Sequence, residues 1–460
     1  MRTTLVIFGG TGNLTHIKLV PAIHEIYKTN PDLAVIGLGR RELTDEAFRE
    51  GFRNDILGDT VDAFLSCFSY IRGDINDKAV YDSLKAKLQG EDAIFYLAVS
   101  PVFILDIISQ LGEAGLSTAE KRIIIEKPFG EDEASAKSLY DNIEKVFTDK
   151  QIYIIDHYLG KETVQNLLSF RFANGIFEQM WNSEHIDSIQ IQVQEEVGIG
   201  QRGEYYDKHG ATKDMLQSHL LQILAAITIE PPLTMTAEEI GKKRIDLLQS
   251  LRIPSDNTSI VFGQYVGYKS EQAVAENSAT DTFVAMKTYI DNDRWRNVPI
   301  YFKTGKKLQS HKTEVFIQFK ESSISPVSAP KANFLAFRIQ PNPGITFGIN
   351  IRKPGEAMEI KDITMDFCYD EMFTVSDNSY IRLISDAIKQ NKFLFTSIEE
   401  ILASWRFVDP IVTMRDSNPV SVQEYNPGTE GPNNALSLPE ADNRTWLSIF
   451  PYKCDIRITA

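Results

Sequence analysis

TLVIFGGTGNL (residues 4–14) is a short apolar run that ends in glycines and gives way to a helical pattern from Leu14 to about Thr29. An apolar run of this length, bounded by turn residues, fits a strand buried on both faces of a parallel sheet. The same sign returns in LAVIGLGR (33–40), Phe68–Asp74, DAIFYLAVS (92–100) and KRIIIEKP (121–128), with amphipathic stretches between them. Strands alternating with helices predict a doubly wound α/β domain over residues 1–155. Beyond it the pattern changes. Thr163–Trp181 reads as helical, and Met215–Ile229 reads as a helix with Leu216, Leu220, Leu224 and Ile227 on one face. From about residue 281 strand-like runs follow one another without helices: TFVAMKTYI, VPIYFKT, EVFIQFK, FLAFRIQ, TFGINIR and EIKDITMDF. Such a series predicts a large, mostly antiparallel sheet. Two helices (Tyr380–Gln390 and Ile398–Phe407) and two loops (321–332 and 425–440) complete an α+β domain over 156–460, with no internal repeat.

A chain of 460 residues is long enough for two or more domains with substantial cores. Its formal net charge of −15 argues against nucleic acid as a partner, because a phosphate backbone needs a basic surface. An acidic protein that binds a phosphorylated ligand must gather its cations in one place. Cys67, Cys368 and Cys454 are far apart, without CxxC or metal spacing, and read as free thiols in a reducing compartment. No signal-peptide core and no apolar run of membrane-spanning length is present, so the expected location is the cytoplasm, with no membrane partner.

Three segments carry chemistry. In the first, Gly9, Gly10, Thr11, Gly12, Asn13 and Leu14 form the turn from strand to helix. Glycines there let the backbone bend and approach a pyrophosphate, and the helix N-terminus offers N–H groups and a positive dipole end. A GxxGxL turn is weak evidence alone; its position after the first strand of a βαβ unit is what points to a dinucleotide. The second strand ends in Gly39-Arg40-Arg41 where an NAD site would place a carboxylate. Two guanidiniums suit a 2′-phosphate, so the expected cofactor is NADP, with NAD use left open. The second segment is EKPFG (126–130), closing the fifth strand; strand ends of this kind face the crevice of a parallel sheet, which puts Lys127 beside a ligand. Farther along, just after an apolar strand, IDHYLGKE (155–162) packs a carboxylate, an imidazole, a phenol and an ammonium close together: Asp156, His157, Tyr158 and Lys161. The last three could donate to phosphate oxygens; a polar loop at a domain junction is the plainer reading. In the third segment, DMLQSHL (214–220), His219 lies beside an apolar helix face, where histidine is more often a core residue than a catalyst.

Together these segments resemble the glucose-6-phosphate dehydrogenase family, which carries GGTGDL or GASGDL, then EKPFG, RIDHYLGKE, DMxQNHLLQ and RxGKxL. The chain reads GGTGNL, EKPFG, IIDHYLGKE, DMLQSHLLQ and KTGKKL in that order, and VQNLLSFRFAN (164–174), RWRNVPIYFKTGK (294–306) and SWRFVDPI (404–411) also agree. The resemblance implies a Rossmann-type domain plus an antiparallel-sheet domain, and a homodimer through that sheet or a dimer of dimers. It implies oxidation of glucose 6-phosphate to its lactone with hydride transfer to NADP, the first step of the oxidative pentose phosphate pathway, with no metal. His219 resembles the general base and Asp156 its orienting partner. Lys161, His157 and Tyr158 resemble the phosphate grip, and Glu195 and Asp214 the sugar-hydroxyl acceptors. Lys127 resembles a bridge between nicotinamide and sugar, Lys18 a residue that helps align the two, and Lys306 a further substrate contact.

The chain departs from the family at a few places. Asn13 stands for an aspartate, His16 and Ile17 for two cations, and Ser218 for an asparagine. His311 stands where family members usually have Lys or Arg, and the 250–280 region is trimmed. His311 motivates a second reading, action on another hexose phosphate or a free sugar. A third reading is a catalytically silent sensor of NADP or sugar phosphate, against which Asp156, Lys161 and His219 all argue.

Overall fold

The computed structural model describes residues 3–88, 91–254, 258–322, 331–355, 360–373, 378–418 and 421–449. Residues 323–330 of one expected loop, Glu359 at the head of an expected strand, and Cys454 lie outside them. Two compact units divide the chain. The first comprises 1–161, 233–241 and 376–402; the second comprises 162–232, 242–375 and 403–460.

The expected α/β architecture is present in the first unit. Strands β1 (Thr3–Phe8), β2 (Ala34–Gly39), β3 (Phe68–Arg72), β4 (Asp92–Leu97), β5 (Lys121–Ile125) and β6 (Ile152–Ile155) form a parallel sheet in the order β6-β5-β4-β1-β2-β3. Phe395–Thr396 adds an antiparallel edge beside β6. Leu5–Phe8 and Ala93–Leu97 are buried throughout, as strands covered by helices on both faces require. The order reverses beside β1, so the glycine turn that follows β1 lies at the switch point, where such sheets bind ligands.

In the second unit the described residues form a nine-stranded sheet. Its labelled strands are β7 (Ile186–Gln194), β8 (Ile260–Tyr265), β9 (Phe283–Thr288), β10 (Ile300–Gly305), β11 (Lys312–Phe319), β12 (Phe334–Gln340), β13 (Gly344–Arg352) and β14 (Ile360–Cys368). They run in the order β14-β13-β12-β11-β7-β10-β9-β8, with the strand Val422–Tyr425 beyond β8. All neighbours pair antiparallel except β7 with β10 and β8 with Val422–Tyr425. The large, mostly antiparallel sheet is therefore as expected.

The helices correct the sequence reading in three places. The segment from Met215 to Thr228 is buried on every side rather than on one face, and it begins as a wide π-helical stretch, Thr212–Leu220, before an α-helix, Leu221–Thr228. The helix expected to stop at Phe407 continues to Ser417 through Pro410. A short helix, Asn433–Leu436, lies within the expected loop 425–440. Cys368 is disulfide-bonded, so the free-thiol expectation fails there. No helix among the described residues is long and apolar enough to cross a membrane.

Candidate active site

The glycine turn is built as its sequence suggests. The N–H groups of Gly9 and Gly10 donate to the carbonyl of Leu38 at 3.1 and 2.9 Å, and Gly12 N–H donates to Gly9 O at 2.9 Å. Gly9 has φ +84°, and a Cβ there would collide with the carbonyl of Ala98. A Cβ on Gly10 would lie 2.8 Å from Gly37 Cα. Only glycine lets the turn sit this tightly on β2 and β4. Thr11 and Gly12 are partly exposed, and a helix begins at Asn13 and Leu14. Arg40 and Arg41 follow Gly39 directly and are exposed. The Arg41 carbonyl accepts from Tyr70 Oη at 2.9 Å, which fixes the backbone while leaving the guanidinium outward. A Cβ on Gly39 would lie 3.5 Å from Thr11 Oγ1, so the end of β2 adjoins the turn. A tight glycine turn and a helix start, with exposed Arg40 and Arg41 beside them, fit a dinucleotide. Lys18 is exposed on the π-helical turn Thr15–Leu19.

At the ends of β5 and β6 the same unit brings Lys127 and Asp156 together. Lys127 Nζ lies 2.9 Å from Asp156 Oδ2, and the Asp156 side chain is fully enclosed. Asp156 Oδ1 accepts from Tyr158 N–H at 3.0 Å. The Lys127–Pro128 bond is cis. One turn farther on, Lys161 Nζ stands 5.3 Å over the Tyr158 ring, and the His157 and Tyr158 rings are 5.1 Å apart. Tyr158 is buried, while His157 and Lys161 are partly exposed. The three expected phosphate-binding side chains thus form one cluster. Behind Lys127, Glu126 accepts a hydrogen bond from the buried Tyr96 hydroxyl. Burial pushes the Glu126 carboxyl up to about 7, against the pull of hydroxyls from Tyr96 and Tyr380 and of Lys127.

The second unit holds the remaining candidates. Glu195, at the end of β7, contacts Lys306 Nζ at the end of β10; the Lys306 ammonium also lies 5.7 Å from the Tyr206 ring centroid. Parallel pairing of β7 with β10 sets this meeting, and the Glu195 N–H donates to Gly305 O at 3.1 Å. Asp214 accepts from Tyr205 Oη at 3.2 Å and pairs with Arg202 at 3.3 Å. Burial raises the Tyr205 phenol, with the Asp214 charge adding to it, so the hydroxyl stays a donor. His219 lies on the same helical stretch as Asp214, in a buried setting. His311 stands exposed before β11, its Nε2 3.5 Å from Gln340 Nε2.

Two family domains match successive parts of the chain. Residues 6–166 match the NAD binding domain of glucose-6-phosphate dehydrogenase, and residues 168–447 match its C-terminal domain. The chain belongs to the glucose-6-phosphate dehydrogenase family. Glucose-6-phosphate 1-dehydrogenase of Rhizobium meliloti (strain 1021) is 40% identical, over 96% of this chain and 96% of that one. The enzyme of the same name from Chlamydia pneumoniae is 37% identical, over 96% and 95%. A solved glucose-6-phosphate dehydrogenase in complex with its substrate glucose-6-phosphate superposes with a TM-score of 0.90 at 31% identity, covering 97% of this chain and 99% of that one. The crystal structure of glucose-6-phosphate 1-dehydrogenase from Mycobacterium avium gives a TM-score of 0.89 at 31% identity, over 99% of both chains. Family membership makes a nicotinamide cofactor part of the function of the first unit.

Sequence reading of this glucose-6-phosphate dehydrogenase family member missed Arg202, Tyr205, Tyr96 and Tyr380. Arg202 and Tyr205 sit three residues apart and nine or more before Asp214, a spacing with no signature of its own. Tyr96 lies inside an apolar strand, and Tyr380 is far away in the chain. The available signal was Glu126, a carboxylate where an apolar strand ends and so in need of a partner.

Proposed function

We propose that the protein is an oxidoreductase that oxidises D-glucose 6-phosphate to 6-phospho-D-glucono-1,5-lactone with NADP. The observation that carries this reading is the match to both family domains, 6–166 and 168–447, with the IDHYLGKE cluster retained. His219 takes the proton of the C1 hydroxyl, and Asp156 orients the imidazole and balances its charge when protonated. Lys161, His157 and Tyr158 hold the phosphate. That group reacts with nothing, and its binding holds C1 in place. Glu195 and Asp214 accept hydrogen bonds from sugar hydroxyls. Lys306, next to Glu195, adds a donor, and His311 lies within reach of the bound sugar phosphate. Lys127 spans sugar and nicotinamide, with Lys18 helping to align them. The cofactor, when bound, supplies the acceptor for the hydride leaving carbon 1. The turn Gly9, Gly10, Thr11, Gly12, Asn13 and Leu14 would hold its pyrophosphate, and Arg40 and Arg41 its 2′-phosphate; NAD fits the same turn with less to hold it. A homodimer, or a dimer of dimers, and a cytoplasmic location belong to the same proposal.

Steady-state kinetics with glucose 6-phosphate and with glucose, each with NADP and NAD, test it. Glucose 6-phosphate with NADP should give the highest kcat/KM; equal or better turnover of glucose would reject the reading. His219→Asn should lower kcat by on the order of 10²–10⁴ while calorimetry still records glucose 6-phosphate binding.

A further inference from the structure

Glu126 and Lys127 are neighbours past the end of β5, and their side chains serve different partners. Lys127 reaches Asp156 at 2.9 Å. Glu126 takes hydrogen bonds from two tyrosine hydroxyls, Tyr96 of β4 and Tyr380 at the start of the helix Tyr380–Ile388. Tyr96 is wholly buried, and Tyr380 is 7% exposed. The Tyr380 end is itself tied down: Asn378 Oδ1 accepts from Tyr380 N–H at 3.1 Å, and Asn378 Nδ2 donates to the carbonyl of Lys18 at 2.9 Å. One hydrogen-bonded chain therefore runs from the turn bearing Lys18, through Asn378 and Tyr380, to Glu126 beside Lys127.

Two O–H donors aimed at one carboxyl complement its ionised form, since an anion accepts from both. The charges around it oppose one another. Lys127 attracts the anion, Asp156 repels it, and burial disfavours it, which brings its titration close to neutrality. A carboxylate kept here despite burial attracts the neighbouring ammonium, which already reaches Asp156 at 2.9 Å.

We propose that Glu126 is a positioning residue for the reaction: its carboxylate, held by Tyr96 and Tyr380, fixes the ammonium of Lys127 beside Asp156. This rests on the proposed dehydrogenase reading, in which Lys127 meets sugar and nicotinamide.

Glu126→Gln keeps the shape and removes the charge, so it imitates the neutral acid. At pH 8.5 its kcat with glucose 6-phosphate and NADP should fall about 10- to 100-fold, the effect of a misplaced contact near the reacting atoms. KM for the sugar phosphate should stay within about threefold, since the phosphate grip is elsewhere. The deficit should shrink toward pH 6, where wild type also carries a neutral carboxyl. Tyr380→Phe, which removes one donor, should fall in the same direction by about 3- to 10-fold. A deficit constant across pH, or kcat for Glu126→Gln within twofold of wild type at pH 8.5, overturns the inference. If Glu126→Gln fails to fold, Tyr380→Phe decides by the same pH comparison. Failure of the underlying reading looks different: wild type would then not turn over glucose 6-phosphate, or Lys127→Ala would leave kcat unchanged.

Discussion

At the scale of single residues, Glu126 separates stability from function. Burial pushes its carboxyl up to about 7 in the folded chain, from 4.5 for an ordinary glutamate. Between those values the native state binds more protons than the unfolded state, so stability falls as pH rises. The contribution is fully present below pH 4.5 and is lost as pH passes through 7. Glu126→Gln lacks this titration. Its melting temperature relative to wild type should therefore rise from pH 5 to pH 8.5, by the equivalent of roughly 1–3 kcal/mol; a pH-independent difference in thermal scans would contradict the assignment. The carboxylate thus opposes folding at the pH where the proposed reaction needs it, as expected when a local rule is broken at a functional site. His311 makes the reverse case. It is exposed, so a longer cation can replace it without repacking. Lysine brings a full positive charge on a longer, flexible side chain. His311→Lys should lower KM for glucose 6-phosphate by about 3- to 10-fold, about 1 kcal/mol of phosphate attraction, with kcat within twofold. An unchanged KM would remove His311 from the substrate site.

At the scale of elements, the helical stretch bearing Asp214 and His219 shows what the residue pattern does not reveal. The spacing of Leu216, Leu220, Leu224 and Ile227 is legible as a helix, and those side chains are buried. The π-helical opening is not legible, because it depends on an anchor about seventy residues away in the chain. Gly210, at φ +64° and ψ −180°, breaks the preceding helix. Asp281 then takes over the freed backbone donors. Its carbonyl accepts from Ala211 N–H at 2.8 Å, and its Oδ2 accepts from the Thr212 N–H and hydroxyl at 2.8 and 2.7 Å. Arg415 contacts Oδ1 of the same carboxylate, and Asp281 has no exposed surface. Wide helical turns of this kind are frequent at functional sites. Asp281→Ala leaves the largely buried Arg415 with only the more exposed Asp416 as a partner and removes the acceptor at the helix start. It should cost about 2–4 kcal/mol in chemical denaturation, and activity per folded molecule should fall with it, since the element carrying His219 loses its anchor. A loss under 1 kcal/mol would show that the ion pair does not hold this element.

At the scale of the molecule, the parallel sheet was readable because each of its strands is a continuous apolar run, while the piece 376–402 that completes the first unit was not. Its strand is two residues long, and its place in the unit comes from Leu383, Ile384, Leu394 and Phe395 packing in the same core as β1 and β6, with Arg122 donating to Ala387 O at 2.7 Å. β7 escaped for a different reason. Its inward residues include Gln190 and Gln192, which look like solvent-facing positions yet are buried, each donating at 2.8 Å to a carbonyl of the 445–447 segment. β13 and β14 were legible as strands, and their register builds an apolar face. Ile345 pairs with Phe367, Phe347 with Met365 and Ile349 with Ile363, which puts six apolar side chains on one face of the outermost strands. Met365 is 57% exposed and Phe367 37%, an uneconomical arrangement for an isolated subunit. In the homodimer proposed above, a second copy of the chain would cover this face. Light scattering at micromolar concentration should then give at least twice the 52.0 kDa chain mass. Met365→Glu should shift the population toward single chains, because a charge would enter a water-excluded contact. The proposed interface fails if wild type runs as a monomer, or if the variant keeps the wild-type mass at every dilution.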